Sequence, residues 1–266
     1  MTTSDTPRPV TGFLARIGLG ARSLVYLAVC FLLLKAAFTS EQDDGATPGE
    51  AFRMIETEVG GRILLVCLGL GLFLYALWRY QQAALDTDDQ GKDAKGVLAR
   101  LGMVSSGTSY ALVGFAAMMT AFDADDGGGG GTTEATAKWL MEQPFGSWLV
   151  GLGGLALLGI GGAQIWRTQS NQWKSSLDLS GWVQRVKPVI EFGIGGRGVL
   201  FGIIGIFLLV AAFSADASDV KGLAATLGWI RAQPFGLPLF IIASATIGAY
   251  GVYSGVQSLR HRFPDD

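Results

Sequence analysis

The feature that most constrains this chain is where its charges are absent. Residues 101–122, 143–166 and 232–259, which are 22, 24 and 28 residues long, contain no Asp, Glu, Lys or Arg. A helix needs roughly 20 mostly apolar residues to cross the hydrocarbon of a bilayer, so each interval is long enough to span. Two shorter intervals are of the same kind, Ile63 to Trp78 and Gly198 to Ala215. A sixth, about Ile17 to Phe38, carries Arg22 and Lys35. The sequence therefore predicts an all-α membrane protein with six transmembrane helices. A formal charge of -2 and a pI near 5.5 argue against a basic nucleic-acid binder, so no nucleic-acid partner is expected.

The first interval has the charge pattern and length of a signal peptide: Arg8, Arg16 and Arg22 precede an eleven-residue apolar run, Leu24 to Leu34. Its match to two internal segments implies instead that it is retained. Placing Gly18, Gly102 and Gly193 in register aligns Tyr26, Tyr110 and Phe201, and further on Ala37-Phe38, Ala121-Phe122 and Ala212-Phe213. Gly61, Gly146 and Gly236 then open the second apolar helix of each unit. The chain reads as three tandem two-helix repeats, 13–85, 98–170 and 189–260. Their helices are expected at about 17–38 and 62–82, 100–122 and 146–168, and 191–213 and 237–259, with tails at 1–12 (flexible) and 261–266. Each pair returns the chain to its starting side, so the repeats share one orientation, and a pseudo-three-fold axis along the membrane normal is expected.

Orientation follows from Lys and Arg beside the spans, because cations are retained on the cytoplasmic side. Twelve lie on the side of the termini, among them Arg16, Arg79, Arg100, Arg167 and Arg185, against five on the other, Arg53, Arg62, Lys138, Lys221 and Arg231. Both termini are expected in the cytoplasm. The three outer connections each hold a short stretch of helical period, with Phe52 and Ile55, Trp139 and Leu140, and Leu227 and Ile230 on its apolar face. These predict amphipathic caps lying on the bilayer or on the bundle top.

Two caps end in the same four residues, Gln143-Pro144-Phe145-Gly146 and Gln233-Pro234-Phe235-Gly236, where the first repeat has Glu58-Val59-Gly60-Gly61. Together with the stripes Gly18-Arg22-Tyr26 and Gly193-Arg197-Phe201, these motifs resemble the bacterial membrane-protein family known as domain of unknown function 1206. The resemblance covers about 13–260 and implies three two-helix units in an inner membrane, with no activity assigned.

Residues at i, i+4 and i+8 share a helix face, so the stripes put Arg22 and Tyr26, Ser106 and Tyr110, and Arg197 and Phe201 at matching positions. Two readings are open for Arg22 and Arg197: they snorkel to the cytoplasmic surface, or they face a shared axis and hold an anion or water. On the second reading Arg22, Arg197, Ser106, Tyr26 and Tyr110 form an inward-facing polar vestibule for an anionic headgroup or solute. Glu191 stands where the other repeats have Arg16 and Arg100, which suggests an ion pair with those arginines across the bundle. Glycines on the second helices, such as Gly154 and Gly161, suggest close helix packing.

Little else carries chemistry. Cys30 and Cys67 lie in apolar spans without metal-ligand spacing, and the one histidine, His261, lies in the tail. Lys35 reads as an anchor at the outer end of the first helix, and Gly127 to Gly131 as a tether. No metal, no cofactor and no enzymatic activity are expected, since no nucleophile, base and orienting group occur at a recognisable spacing. The expected partners are membrane lipids and another membrane protein. The favoured reading is an accessory or lipid- and anion-interacting protein; the alternative is a small-solute or ion transporter or channel along the axis, which the apolar Val29, Leu33, Val113 and Leu208 further out disfavour.

Overall fold

A computed structural model describes residues 9–38, 61–86, 91, 93–122, 140–143, 145–174, 177 and 181–260. Its main elements are α1 (Pro9–Phe38), α2 (Gly61–Leu85), α3 (Ala94–Ala121), α4 (Gly146–Gln169), α5 (Val183–Ser214), the short α6 (Leu223–Arg231) and α7 (Gly236–Arg260), with turns and two short 3-10 segments between them among the described residues. All but α6 are long and apolar enough to cross a membrane. Their bounds agree with the expected spans apart from extra turns at the starts of α1, α3 and α5. Helix α1 begins at Pro9, inside the segment expected as a tail; proline suits a first helical turn, where its missing N–H has no partner to lose. The caps expected at Phe52 and Ile55 and at Trp139, the Gly127 to Gly131 tether, His261 and the C-terminal tail lie outside the described residues.

The third cap is present as α6. Leu227 and Ile230 are buried in the main core, so its apolar face lies on the bundle. Trp229 stays half exposed and stacks edge-on against Phe207 of α5, with ring centroids 5.3 Å apart.

The turn into each following span explains the Gln-Pro-Phe-Gly motif. Phe145 and Phe235 adopt φ of 64° and 60°, a left-handed conformation rare for a bulky residue. Each supplies its carbonyl to a helical N–H, Phe145 to Leu149 and Phe235 to Leu239, both at 3.2 Å. The glycine that follows must be glycine: a Cβ at Gly146 would collide with the Leu140 carbonyl, and one at Gly236 with that of Arg231. Both phenyl rings stand out from the protein at the N-terminal end of their helices, as interfacial aromatic anchors do.

The helices pack in sequence order, α1 on α2, α2 on α3, α4 on α5, α5 on α7 and α7 back on α1, so the chain forms a ring broken at one place. The tightest appositions are between repeats, at α2–α3, α4–α5 and α1–α7. Glycine makes them possible. Gly154 faces the Gly205 carbonyl and Gly161 that of Gly198, at distances of 2.8 and 2.5 Å from where a Cβ would stand, the close backbone approach that small residues permit in a bilayer. The break is between α3 and α4, the two helices of the second repeat, which do not pack on one another.

The cause lies in what repeat 2 carries at the matching positions. Within repeats 1 and 3 the first glycine of the stripe packs against the backbone of a tyrosine on the second helix, Gly18 on Tyr75 and Gly193 on Tyr250. The same register positions in repeat 2 are Gly102 and Ile160; Gly102 has no atom within 4 Å of its Cβ position, and Ile160 is exposed. An arginine–tyrosine pair also joins the two helices in repeats 1 and 3, Arg22 with Tyr75 and Arg197 with Tyr250. Repeat 2 has Ser106 and Ile160 there and so has neither half of the clasp.

Candidate functional site

The stripe residues of α1, α3 and α5 turn inward and meet tyrosines of α2 and α7. Arg22 is only 6% exposed, which rules out snorkelling for it. Its guanidinium donates through Nε to Ser254 Oγ (3.1 Å), through Nη1 to Tyr75 OH (2.7 Å) and through Nη2 to Tyr250 OH (2.6 Å). It also lies 5.3, 5.5 and 5.0 Å from the ring centroids of Tyr75, Tyr110 and Tyr250. Phenol oxygens and ring faces thus take the place of water around this cation.

Arg197 is half-buried on the other side of the same cluster, 4.2 Å from the Tyr250 ring centroid, 4.5 Å from Phe201 and 5.9 Å from Tyr26. Among the described residues its guanidinium has ring contacts and no hydrogen-bond acceptor. The register explains the difference. Arg22 draws on Tyr250 and Ser254 of the neighbouring repeat's second helix, and the corresponding residues for Arg197 are Ile160 and Gln164 of α4. Tyr26 and Tyr110 join α1 to α3 with their hydroxyls 3.1 Å apart, and Tyr110 packs edge-on against Tyr75 at 4.8 Å. Ser106 is half-buried on the same face of α3.

Four of the five residues expected at the site, Arg22, Arg197, Tyr26 and Tyr110, are brought together. Tyr75, Tyr250 and Ser254 complete the cluster, and the sequence reading did not single them out. A signal for two of them existed: Tyr75 and Tyr250 lie at the same distance from Gly61 and Gly236.

The ion pair expected between Glu191 and Arg16 or Arg100 does not form. Glu191 pairs with Lys187 one turn back (3.7 Å) and with Lys174 (4.0 Å). Arg16 donates to the carbonyls of Ser258 and Leu259 at the end of α7, and Arg100 to those of Ala83 and Ala84 at the end of α2. Cations suit a helix C-terminus, where carbonyls lack partners and the dipole is negative. The matching α4 terminus would meet the Glu191 carboxylate, which is held instead by lysines. Burial and the neighbouring Lys187 amine keep Lys174 below the ordinary lysine range, and Glu191 pulls the other way.

Elsewhere, Lys35 is exposed in the last turn of α1, Cys67 is exposed, and Cys30 is partly buried facing Gly248. No cluster of His, Cys, Asp or Glu able to hold a metal is found among the described residues. A groove of about 490 Å³ between α1, α2 and the end of α7, lined by Leu24, Leu64 and Leu68 with Arg16 at its rim, is apart from the arginine cluster.

Six helices long and apolar enough to cross a membrane mark an integral, multi-pass membrane protein. The chain belongs to the family described as Domain of Unknown Function (DUF1206), which matches three times, at residues 17–86, 101–169 and 192–261. It is similar to the uncharacterized protein YxxB of Bacillus subtilis (strain 168), with 29% identity over 204 residues, covering 75% of this chain and 73% of the relative. No solved structure matches it.

Proposed function

We propose that this protein is an anion- and lipid-interacting accessory protein of a bacterial inner membrane, with both termini cytoplasmic, and that it binds rather than transforms its ligand. The observation that carries this reading is the pair of guanidiniums around Tyr250. Arg22 and Arg197 lie within 5.0 and 4.2 Å of one ring centroid, so they are no more than 9.2 Å apart. No Asp or Glu among the described residues makes a salt bridge with either. Two cations at that separation repel by about 2 kcal/mol at an effective dielectric of about 20. An anion between them relieves the repulsion and supplies the acceptor that Arg197 lacks.

Depth fits the same reading. Arg22 lies six residues along α1 from Arg16, which binds the carbonyls at the end of α7, roughly 9 Å at 1.5 Å per residue. That is within reach of a headgroup on the side of the termini. Further out the interior is closed by Val29, Leu33, Leu65, Leu72 and Phe240, all buried in one apolar cluster. A packed outer half supports a pocket closed on that side over a conducting axis, and so disfavours the transporter or channel reading. The matching stripes and shared between-repeat packing support three repeats of one orientation about a pseudo-three-fold axis, with the second repeat opened.

The test is thermal unfolding of the purified protein titrated with inorganic phosphate, and separately in nanodiscs of phosphatidylglycerol or phosphatidylcholine. A ligand at 100 times its Kd stabilises by about 2.7 kcal/mol. Stabilisation by phosphate or phosphatidylglycerol that is lost in Arg197→Gln is expected. An unchanged response in that variant, or no response in the wild type, refutes the reading. A cytoplasm-only reporter fused after Asp266 is expected to be active, and an inactive, well-expressed fusion overturns the orientation.

A further inference from the structure

The break in the helix ring adds a route to the arginine cluster. Five residues of α3 and α4, at the register positions where the other repeats pack their two helices together, are exposed: Gly102, Ser105 and Ser109 on α3, Ala156 and Ile160 on α4. Their register mates in the first repeat, Gly18, Ala21, Val25, Gly71 and Tyr75, are all buried. In the third repeat Gly193, Leu200, Thr246 and Tyr250 are buried too. The same positions therefore form a helix–helix interface twice and an open seam once. Every other pair of ring neighbours is at packing distance, yet Tyr26, Tyr110, Arg197 and Phe201 at the centre retain exposure.

We infer that the seam between α3 and α4 is the lateral way by which a membrane lipid with an anionic headgroup reaches Arg197, one acyl chain lying along the seam. This rests on the anion-binding reading above and names the ligand class and its path. Three features select a lipid over a second protein helix. The seam opens at bilayer depth, since both helices that line it are long and apolar enough to span. Ile160 and Ala156 give it an apolar wall. At its inner end stand two cations without a carboxylate partner among the described residues, which a neutral helix leaves uncompensated and an anionic headgroup neutralises. Of the two residues that replace the clasp, Ser106 and Ile160, the isoleucine is also the one that denies Arg197 a phenol.

The test places a bimane fluorophore on Ile160→Cys in a Cys30→Ala, Cys67→Ala background. The protein is reconstituted in phosphatidylcholine nanodiscs containing a small fraction of acyl-brominated phosphatidylglycerol or acyl-brominated phosphatidylcholine. Ala156→Cys provides a second label on the same helix face, and Leu77→Cys, exposed on α2, a control away from the seam. The expected result is saturable quenching at Ile160 and Ala156 with about a tenfold preference for phosphatidylglycerol, equivalent to about 1.4 kcal/mol. The preference is lost with Arg197→Gln and absent at Leu77. Equal quenching by the two lipids, or a preference that survives Arg197→Gln, overturns the inference. If phosphatidylglycerol still stabilises the protein through Arg197 while the seam labels show no preference, the route fails and the binding reading stands; if the stabilisation is also absent, the binding reading itself fails.

Discussion

Substituting the three register-matched glycines Gly18, Gly102 and Gly193 by alanine gives three different expected outcomes from one chemical change. In a helix interior alanine is favoured over glycine by about 0.8–1.0 kcal/mol, so each substitution begins with the same gain. What opposes it differs. At Gly193 the new Cβ stands 2.5 Å from the Tyr250 nitrogen and 2.6 Å from the Ala249 carbonyl carbon. At Gly18 it stands 2.5 Å from the Tyr75 Cβ and 2.7 Å from its Cα. These are backbone and near-backbone atoms that no rotamer change can move, so the upper part of the about 1–3 kcal/mol range for overpacking applies. The net expectation for Gly18→Ala and Gly193→Ala is a loss of about 1–2 kcal/mol. At Gly102 nothing lies within 4 Å, and the gain of about 1 kcal/mol stands unopposed. Unfolding followed by tryptophan fluorescence in detergent reads these as Tm changes of about 2–4 °C per kcal/mol for a chain near this size, down at Gly18 and Gly193 and up at Gly102. A Gly102→Ala variant that loses as much as the other two would mean that α3 and α4 are packed together, and would refute the reasoning about the open seam.

Tyr250→Phe removes an acceptor from the buried Arg22 guanidinium and is expected to cost about 1.5–3 kcal/mol, whereas Tyr26→Phe breaks a bond between neutral hydroxyls and costs about 1 kcal/mol; thermal unfolding of the two variants distinguishes them. Arg100→Ala uncaps the end of α2 and is expected to lose about 0.3–1 kcal/mol, with faster hydrogen exchange confined to the last turn of that helix. The Ser218 N–H and hydroxyl hold the Asp216 carboxyl below the usual carboxylate range. Its folded form therefore favours the ionised group, and the contribution is present above the ordinary aspartate pKa and lost as pH falls through the lowered value. A slight drop in thermal midpoint on acidification that is reduced in Asp216→Asn is the expected sign.

The spans were readable because bilayer thickness imposes one requirement on length and apolarity, and charges mark where each segment stops. The repeat register was readable for a related reason, since glycine at a close helix contact tolerates no other side chain, as at Gly18 and Gly193. The site was readable by half. The stripe put Arg22, Tyr26, Tyr110 and Arg197 on one face of their helices, but which second-helix residues they meet depends on the packing between repeats, so Tyr75, Tyr250 and Ser254 were missed. Glu191 misled for a different reason: its register mates are arginines because they meet a helix C-terminus, and a carboxylate at that position is better served by nearby lysines. The left-handed phenylalanines before Gly146 and Gly236 carry no local signal beyond the motif itself.

Triplication leaves a chain with spare copies of each joint. Two of the three hairpins here keep their clasp and hold the scaffold in shape, which frees the remaining one to diverge without loss of the whole. With Ser106 and Ile160 in place of arginine and tyrosine that joint is unlocked, and the same isoleucine leaves Arg197 without a phenol, so a doorway and the appetite for what passes through it go together.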